Sequence, residues 1–196
     1  MTDARHTSLV LIDLQNDFLH RDGAYARGGA TCSAISALPG RLAPVVEKMR
    51  RNGSLIISTH FTLVSGRNGE PLISPHLLQL RPFLKRGDFA PGSWGHAQVE
   101  ELPKADVEIE KIAYSAFYMT RLEWILRKLE ISHLVFAGIV TNGGVASTVR
   151  DAHVRDFHCT VLRDGCAAFT PQLHDTSIDA LAPVARILCV DDMLKG

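Results

Sequence analysis

The sequence predicts an α/β protein: a doubly wound, six-stranded parallel sheet with helices on both faces. Three observations predict it. Six apolar runs of strand length alternate with segments of helical spacing, the order expected of parallel strands joined by crossover helices. The first run, residues 8–12, is continuous, as in a strand covered on both faces. Residues 137–151 read as the end of a buried strand, a tight glycine turn and the start of a helix, which leaves backbone N–H groups facing out at the sheet edge. A chain of 196 residues with no shift in composition supports one core, so a single domain over residues 1–196 is expected.

Taken in order, the first strand ends on Asp13, and residues 14–31, with Gly23, Gly28 and Gly29, read as a loop. From about residue 39 to 51, Leu42, Val45, Val46 and Met49 share a helical face that Asn52-Gly53 terminates. Residues 54–59 form the second strand. Residues 60–104 are irregular and rich in glycine and proline. A stretch this long in a compact domain is functional or contains small helices, such as one over 75–80, and it is expected to cover part of a pocket. Residues 107–110 alternate and deliver Lys111, and Thr120-Arg121-Leu122-Glu123 reads as a capping box opening a helix through Leu129. The fourth strand is 133–137, and the helix after Gly143 runs to about Asp156. Residues 159–162 are the fifth strand, 171–181 a helix with Pro171 in its first turn, and 186–190 the sixth strand.

Lys plus Arg equals Asp plus Glu at 21 each. That balance argues against nucleic acid or an anionic membrane surface as partner and for a small neutral or weakly charged ligand. No apolar run approaches the roughly 20 residues of a membrane helix, so a cytoplasmic protein is expected. Cys32, Cys159, Cys166 and Cys189 form no Cys-x-x-Cys pair and are expected to be reduced. Cys159 and Cys189 lie in apolar runs and read as core, whereas Cys32 and Cys166 adjoin loop-like sequence.

In a parallel sheet the strand ends cluster. Asp13, Lys111 and the Gly143-Gly144 turn therefore bring a carboxylate, an ammonium and backbone donors to one edge, a set suited to hydrolysis. The alternative is that Asp13 caps a loop and Lys111 is a solvated strand end. Phe18, Trp94, Tyr114 and Phe117 are candidates to wall an apolar pocket, though the aromatics serve equally as core, and His60 at the end of the second strand could contact substrate. Ser147 lies one helical turn past Gly144, but a helical serine more commonly bonds to a backbone carbonyl. No Gly-x-Ser-x-Gly elbow is present.

Three segments carry a family resemblance: Leu9-Val10-Leu11-Ile12-Asp13-Leu14-Gln15-Asn16-Asp17-Phe18-Leu19, Glu110-Lys111-Ile112-Ala113-Tyr114-Ser115-Ala116-Phe117, and the turn from Gly138 to Asp151. In order and spacing they resemble the isochorismatase-like hydrolase superfamily over nearly the whole chain. The resemblance implies strand order 3-2-1-4-5-6, hydrolysis of a small molecule, no cofactor, a homodimer or homotetramer, and catalytic roles for Asp13 and Lys111. It also implies a cis peptide at Ile139-Val140 and puts Thr141, Asn142 and Gly143 against the substrate. Most members resemble Gly-x-x-Thr-x-x-Cys-Val at this turn, the cysteine being the nucleophile. In register with Gly138 and Thr141, that cysteine falls on Gly144. Isochorismatases proper also have glycine there and form no covalent intermediate, while Thr141-Asn142 looks more like the amidase branch. Some relatives bind a metal through Asp-x-His, but Ser58-Thr59-His60 lacks that pair, so no metal is expected. Burial of Asp13 would favour a neutral acid able to protonate a vinyl ether, and Lys111 nearby would favour the anion. With Asp13 ionised, the expected mechanism is direct attack of water, with Asp13 as proton shuttle, Lys111 stabilising negative charge, and the Gly143 and Gly144 N–H groups binding an oxyanion.

Overall fold

The computed structural model describes residues 3–195. Its strands are β1 (Thr7–Ile12), β2 (Leu55–Phe61), β3 (Val107–Lys111), β4 (His133–Ile139), β5 (His158–Ala167) and β6 (Arg186–Leu188). They form one sheet in the order β3-β2-β1-β4-β5-β6, every neighbouring pair parallel. This is the doubly wound sheet that the alternation predicts, in the order the resemblance implies. The strand order reverses between β1 and β4. Chains leaving two such neighbours depart to opposite faces and open a crevice beyond their carboxyl ends, where ligands of open α/β sheets bind.

The helices are α1 (Asn16–Leu19), α2 (Ala24–Arg27), α3 (Ser33–Ser36), α4 (Leu38–Arg51), α5 (Pro75–Leu80), α6 (Leu122–Lys128), α7 (Ala146–His153), α8 (Pro171–Leu181) and α9 (Val190–Lys195). Side chains alternate across a strand, so each strand feeds two cores. Leu9 and Leu11 of β1, Ile56 of β2 and Val135 and Ala137 of β4 meet Leu42, Val45, Val46 and Met49 of α4 on one face. Val10, Ile12, Ile57, Ile109 and Phe136 meet Leu122 and Leu126 of α6, Val149 and Ala152 of α7, and Ile178 and Leu181 of α8 on the other. Each Val, Leu, Ile, Met or Phe among them contributes about 1.5–3 kcal/mol on burial, which makes these faces the main source of stability. A third cluster, Ala24, Tyr25, Leu63, Leu84 and Phe89, packs the loops together beyond the sheet edge.

Several local expectations are corrected. Residues 14–31 contain α1 and α2 rather than only loop, because buried side chains tie them to the sheet edge. Asp17 accepts the backbone N–H of Ala24 at 3.0 Å and that of Phe89 at 2.7 Å, while Gln15 donates to the carbonyls of Phe61 at 3.0 Å and His96 at 2.9 Å. The capping box does not form. Thr120 Oγ1 accepts the Leu122 N–H at 3.1 Å, but Glu123 turns to Arg155 at 3.0 Å and Arg127 at 3.5 Å, where two guanidiniums compete with a backbone donor. β5 continues to Ala167, and the chain beyond Leu188 leaves the sheet, so that Val190 opens α9 instead of extending the sixth strand. Asp192 accepts the Cys189 N–H at 3.0 Å at that junction and leaves Cys189 exposed, the reverse of the sequence expectation.

Candidate active site

Two backbone features shape the crevice. Asp13 leaves β1 at φ 54°, a left-handed conformation that aspartate tolerates better than most residues, and this turns its carboxylate off the end of the strand. On β4, Gly138 has φ 121°, and a Cβ there would collide with the carbonyl oxygen of Ile12. Only glycine lets β4 approach β1 this closely. One bond further along, Ile139-Val140 is cis. Thr141–Val145 then forms a wide π-helical turn that runs directly into α7.

The turn places Gly144 over Asp13, since a Cβ at residue 144 would lie 3.2 Å from Asp13 Oδ2. Lys111, at the end of β3, reaches across β2 to set Nζ 2.6 Å from the same oxygen, and both side chains are almost fully buried. Lys111 also donates to the carbonyl of Ala113 at 3.0 Å. The other carboxylate oxygen, Oδ1, accepts the hydroxyl of Thr59 at 2.8 Å, and that hydroxyl in turn accepts the Asp13 N–H at 3.2 Å. Burial raises the Asp13 pKa above the ordinary carboxylate range, and the opposing pull of Lys111 and Thr59 does not cancel it.

Asp13, Lys111 and Gly144 share the floor of a cavity of about 390 Å³, within the size range of small-molecule sites. Phe18 and Tyr114, two of the aromatics singled out in the sequence, are on its walls. Gly143 lies beneath the Tyr114 ring, which would sit 3.4 Å from a Cβ there. Its N–H is committed to the Val140 carbonyl at 2.9 Å, so the expected donation of the Gly143 amide to an oxyanion is corrected. The Gly144 carbonyl is held by Thr148 Oγ1 at 2.6 Å; the back-bonding expected of Ser147 is made by its neighbour.

Other candidates fall outside the cavity. His60 points away between Ser58 at 3.1 Å and the His96 carbonyl at 3.1 Å, because alternation along β2 turns it to the opposite side of the strand from Phe61. Trp94 is half exposed and meets His20 edge-on, and Phe117 is core, packed on Phe157. Thr141 is buried with its hydroxyl on His174 Nδ1 at 2.8 Å, and Asn142 is exposed; neither lines the cavity. Cys159 and Cys166 are buried with thiol pKa values pushed up to about 11 and about 12, and neither borders the cavity. Among the described residues no cluster of three or more His, Cys, Asp or Glu side chains could hold a metal ion.

Sequence reasoning missed Thr59, Tyr25, Phe61, Arg81 and Phe169, all of which touch Asp13 or line the cavity. Thr59 alone had a signal, as the residue ending the strand adjacent to β1. Tyr25 in α2, Phe61 at the end of β2, Arg81 just past α5 and Phe169 after β5 reach the cavity from four separate segments of the chain.

A switch-point crevice with a buried carboxylate–ammonium pair defines an α/β protein of the isochorismatase-like fold. Residues 7–192 match the isochorismatase domain family, and the chain belongs to it. It is 30% identical to the uncharacterized isochorismatase family protein YecD of Escherichia coli O157:H7, covering 99% of this chain and 97% of that one. It is also 30% identical to the ureidoacrylate amidohydrolase RutB of Pantoea ananatis, covering 86% of this chain and 72% of that one. The cysteine hydrolase from Pseudomonas syringae pv. phaseolicola 1448A superposes with a TM-score of 0.84 at 19% identity, covering 98% of this chain and 92% of that one.

Proposed function

We propose that the protein hydrolyses a small organic molecule by direct attack of water, with Asp13 as proton carrier and no covalent cysteine intermediate. The observation that carries this reading is the buried Asp13–Lys111 pair on the cavity floor, with Gly144 where a nucleophile side chain would project. As the anion, Asp13 takes a proton from water; as the acid, it returns the proton to the leaving nitrogen of a C–N bond or to the carbon of an enol ether. Lys111 stabilises the Asp13 anion and, with the Gly144 amide, the negative charge that develops on the substrate. The similarity to a ureidoacrylate amidohydrolase supports a C–N bond as the first to test.

Hydrolysis of ureido, amide and enol-ether compounds by the wild type and by Asp13→Asn is the experiment. Turnover that disappears in the variant supports the proposal, and full activity in the variant refutes it. A second reading, a small-molecule binding protein without activity, draws on the same Gly144; it predicts saturable binding with no turnover of any of the three compound classes. The proposal takes residues 1–196 as one domain acting in the cytoplasm as a homodimer or homotetramer, a state that light scattering would measure. Among the described residues no helix is long and apolar enough to cross a membrane.

A further inference from the structure

The turn that sets Gly144 over Asp13 has few restraints of its own. Gly143 and Gly144 carry no side chain and give the backbone a freedom that other residues lack. Asn142 is exposed, and of the turn's side chains only that of Thr141 is hydrogen-bonded among the described residues. Two holds come from outside. At the far end Thr148 Oγ1 donates to the Gly144 carbonyl at 2.6 Å and accepts the Ala116 N–H at 3.0 Å, which ties that end to α7 and to the segment after β3. At the near end the buried Thr141 hydroxyl lies 2.8 Å from Nδ1 of His174 on α8.

α8 makes a firm support for that bond. His174, Ile178 and Leu181 follow one another at i, i+4 and i+7, so the histidine continues the stripe that buries Ile178 and Leu181 in the core. Thr170 caps the helix by accepting the Leu173 N–H at 3.2 Å, and Arg150 of α7 donates to the Ala180 carbonyl at 3.1 Å. The helix is thus pinned at both ends, with His174 at the first residue of the turn. Burial lowers the His174 pKa, which keeps the ring neutral at neutral pH, and a neutral imidazole can accept the hydroxyl proton or donate its own. His174 is partly exposed and borders a second cavity of about 410 Å³, apart from the one over Asp13. Water is within reach of the ring there, so the Thr141 bond is not forced by the needs of the imidazole.

We propose that His174 is a positioning residue for the hydrolytic site: through the Thr141 hydroxyl it holds the turn so that the Gly144 amide stays over Asp13. Neither His174 nor Thr141 lines the cavity over Asp13, so the effect passes entirely through the backbone of the turn. A Cβ at residue 144 would lie 3.2 Å from Asp13 Oδ2, which leaves little slack between the turn and the carboxylate. A displacement of about 1 Å carries the amide out of line with the charge that develops there, and misplacement on that scale costs up to about 100-fold in rate. The assignment deepens the hydrolase reading proposed above and rests on it. The competing role for the bond is to satisfy a buried hydroxyl with no consequence for the turn.

The test combines amide hydrogen exchange of the full chain, read by mass spectrometry over residues 139–148, with steady-state hydrolysis of 3-ureidoacrylate. Thr141→Val is nearly isosteric and removes the hydroxyl, whereas Thr141→Ser keeps it. His174→Phe keeps a ring without the nitrogen, and His174→Asn keeps a polar group near the position of Nδ1. The Gly143 and Val145 amides both donate to the Val140 carbonyl and report on the turn. Loss of one neutral hydrogen bond is expected to speed their exchange about 3- to 10-fold in Thr141→Val and in His174→Phe. The double variant should exchange no faster than either single one, because both remove the same bond. In each, kcat should fall about 10- to 100-fold with KM nearly unchanged, and Thr141→Ser and His174→Asn should recover most of both properties. Unchanged exchange in Thr141→Val, exchange that quickens equally in α4 and in the turn, additive effects in the double variant, or an unchanged kcat would each overturn the proposal. A wild type inert toward ureido, amide and enol-ether compounds alike refutes the hydrolase reading, while the exchange data still decide whether His174 holds the turn.

Discussion

Replacing Asp13 with asparagine should separate activity from stability. Asparagine keeps the shape of the side chain, tolerates the left-handed backbone at φ 54°, and retains an oxygen for the Thr59 hydroxyl at 2.8 Å. What it loses is the titrating proton and the charge opposite Lys111. Positioned proton transfer contributes about 10²–10⁴-fold, so hydrolysis should fall by that factor, about 2.7–5.5 kcal/mol in barrier. The stability effect follows from the pKa. Burial raises the folded-state value of Asp13 above that of the unfolded chain, so the folded state binds this proton more tightly. The associated stability is fully present below the unfolded value, near 3.9, and declines as pH rises through the raised folded value. Asparagine mimics the protonated form. At neutral pH the variant should therefore melt at or above the wild-type temperature, and the two should converge as pH falls toward 4. If the Lys111 attraction outweighed burial, breaking the pair would instead cost about 3–5 kcal/mol, or roughly 6–20 °C in Tm for a chain of this size. Thermal melts across pH, read beside turnover of 3-ureidoacrylate, decide both matters. A drop of that size refutes the electrostatic argument, and retained turnover refutes the catalytic one.

Three further outcomes follow from the geometry. Gly144→Cys should fold with a modest loss of stability. Its Cβ would meet the Ile139 carbonyl at 3.0 Å and Ile12 Cγ2 at 3.1 Å, contacts that a shift of a few tenths of an ångström relieves, and its thiol would lie beside Asp13. Mass spectrometry after iodoacetamide should find the introduced thiol modified ahead of the buried Cys159 and Cys166; its protection would show that the turn does not open into the cavity. Gly138→Ala should lose at least about 1–3 kcal/mol in denaturant melts, because alanine is strained at φ 121° and its Cβ strikes the Ile12 carbonyl. An unchanged melt would mean that β4 does not approach β1 this closely. Asp17→Ala strands the N–H groups of Ala24 and Phe89 at about 1–3 kcal/mol each. Proteolytic cleavage within residues 60–104 should accelerate, and an unaltered cleavage pattern would remove Asp17 as the tether of that segment.

Residues near in sequence and regular in pattern were legible from the chain alone. The period-two and period-3.6 distribution of apolar residues states which faces must leave water, and alternating strands and helices then permit few arrangements other than a doubly wound parallel sheet. The strand-end logic carried over as well, since Asp13 follows β1 and Lys111 ends β3, strands whose carboxyl ends lie on the same edge. The glycine at position 144 was visible in register with Gly138 and Thr141. Element ends were less legible, as with β5 and the α9 start, because they depend on competition between backbone bonds and side chains such as Asp192 that reach them from outside the strand.

Tertiary structure alone decided the walls and the charge state of the site. Arg81 and Tyr25 lie 56 positions apart, just past α5 and within α2, and the buried bonds of Gln15 and Asp17 together with the Ala24, Tyr25, Leu63, Leu84 and Phe89 cluster fold those segments back over the sheet edge. His60 and Trp94 looked as suitable as Phe18 and Tyr114 until alternation along β2 turned one aside and solvent took the other. The Asp13 pKa depends on how completely water is excluded against how close Lys111 stands, and both are distances through space. Chemical type and order along the chain specify which groups arrive at the edge; packing sets their spacing, and spacing determines their chemistry.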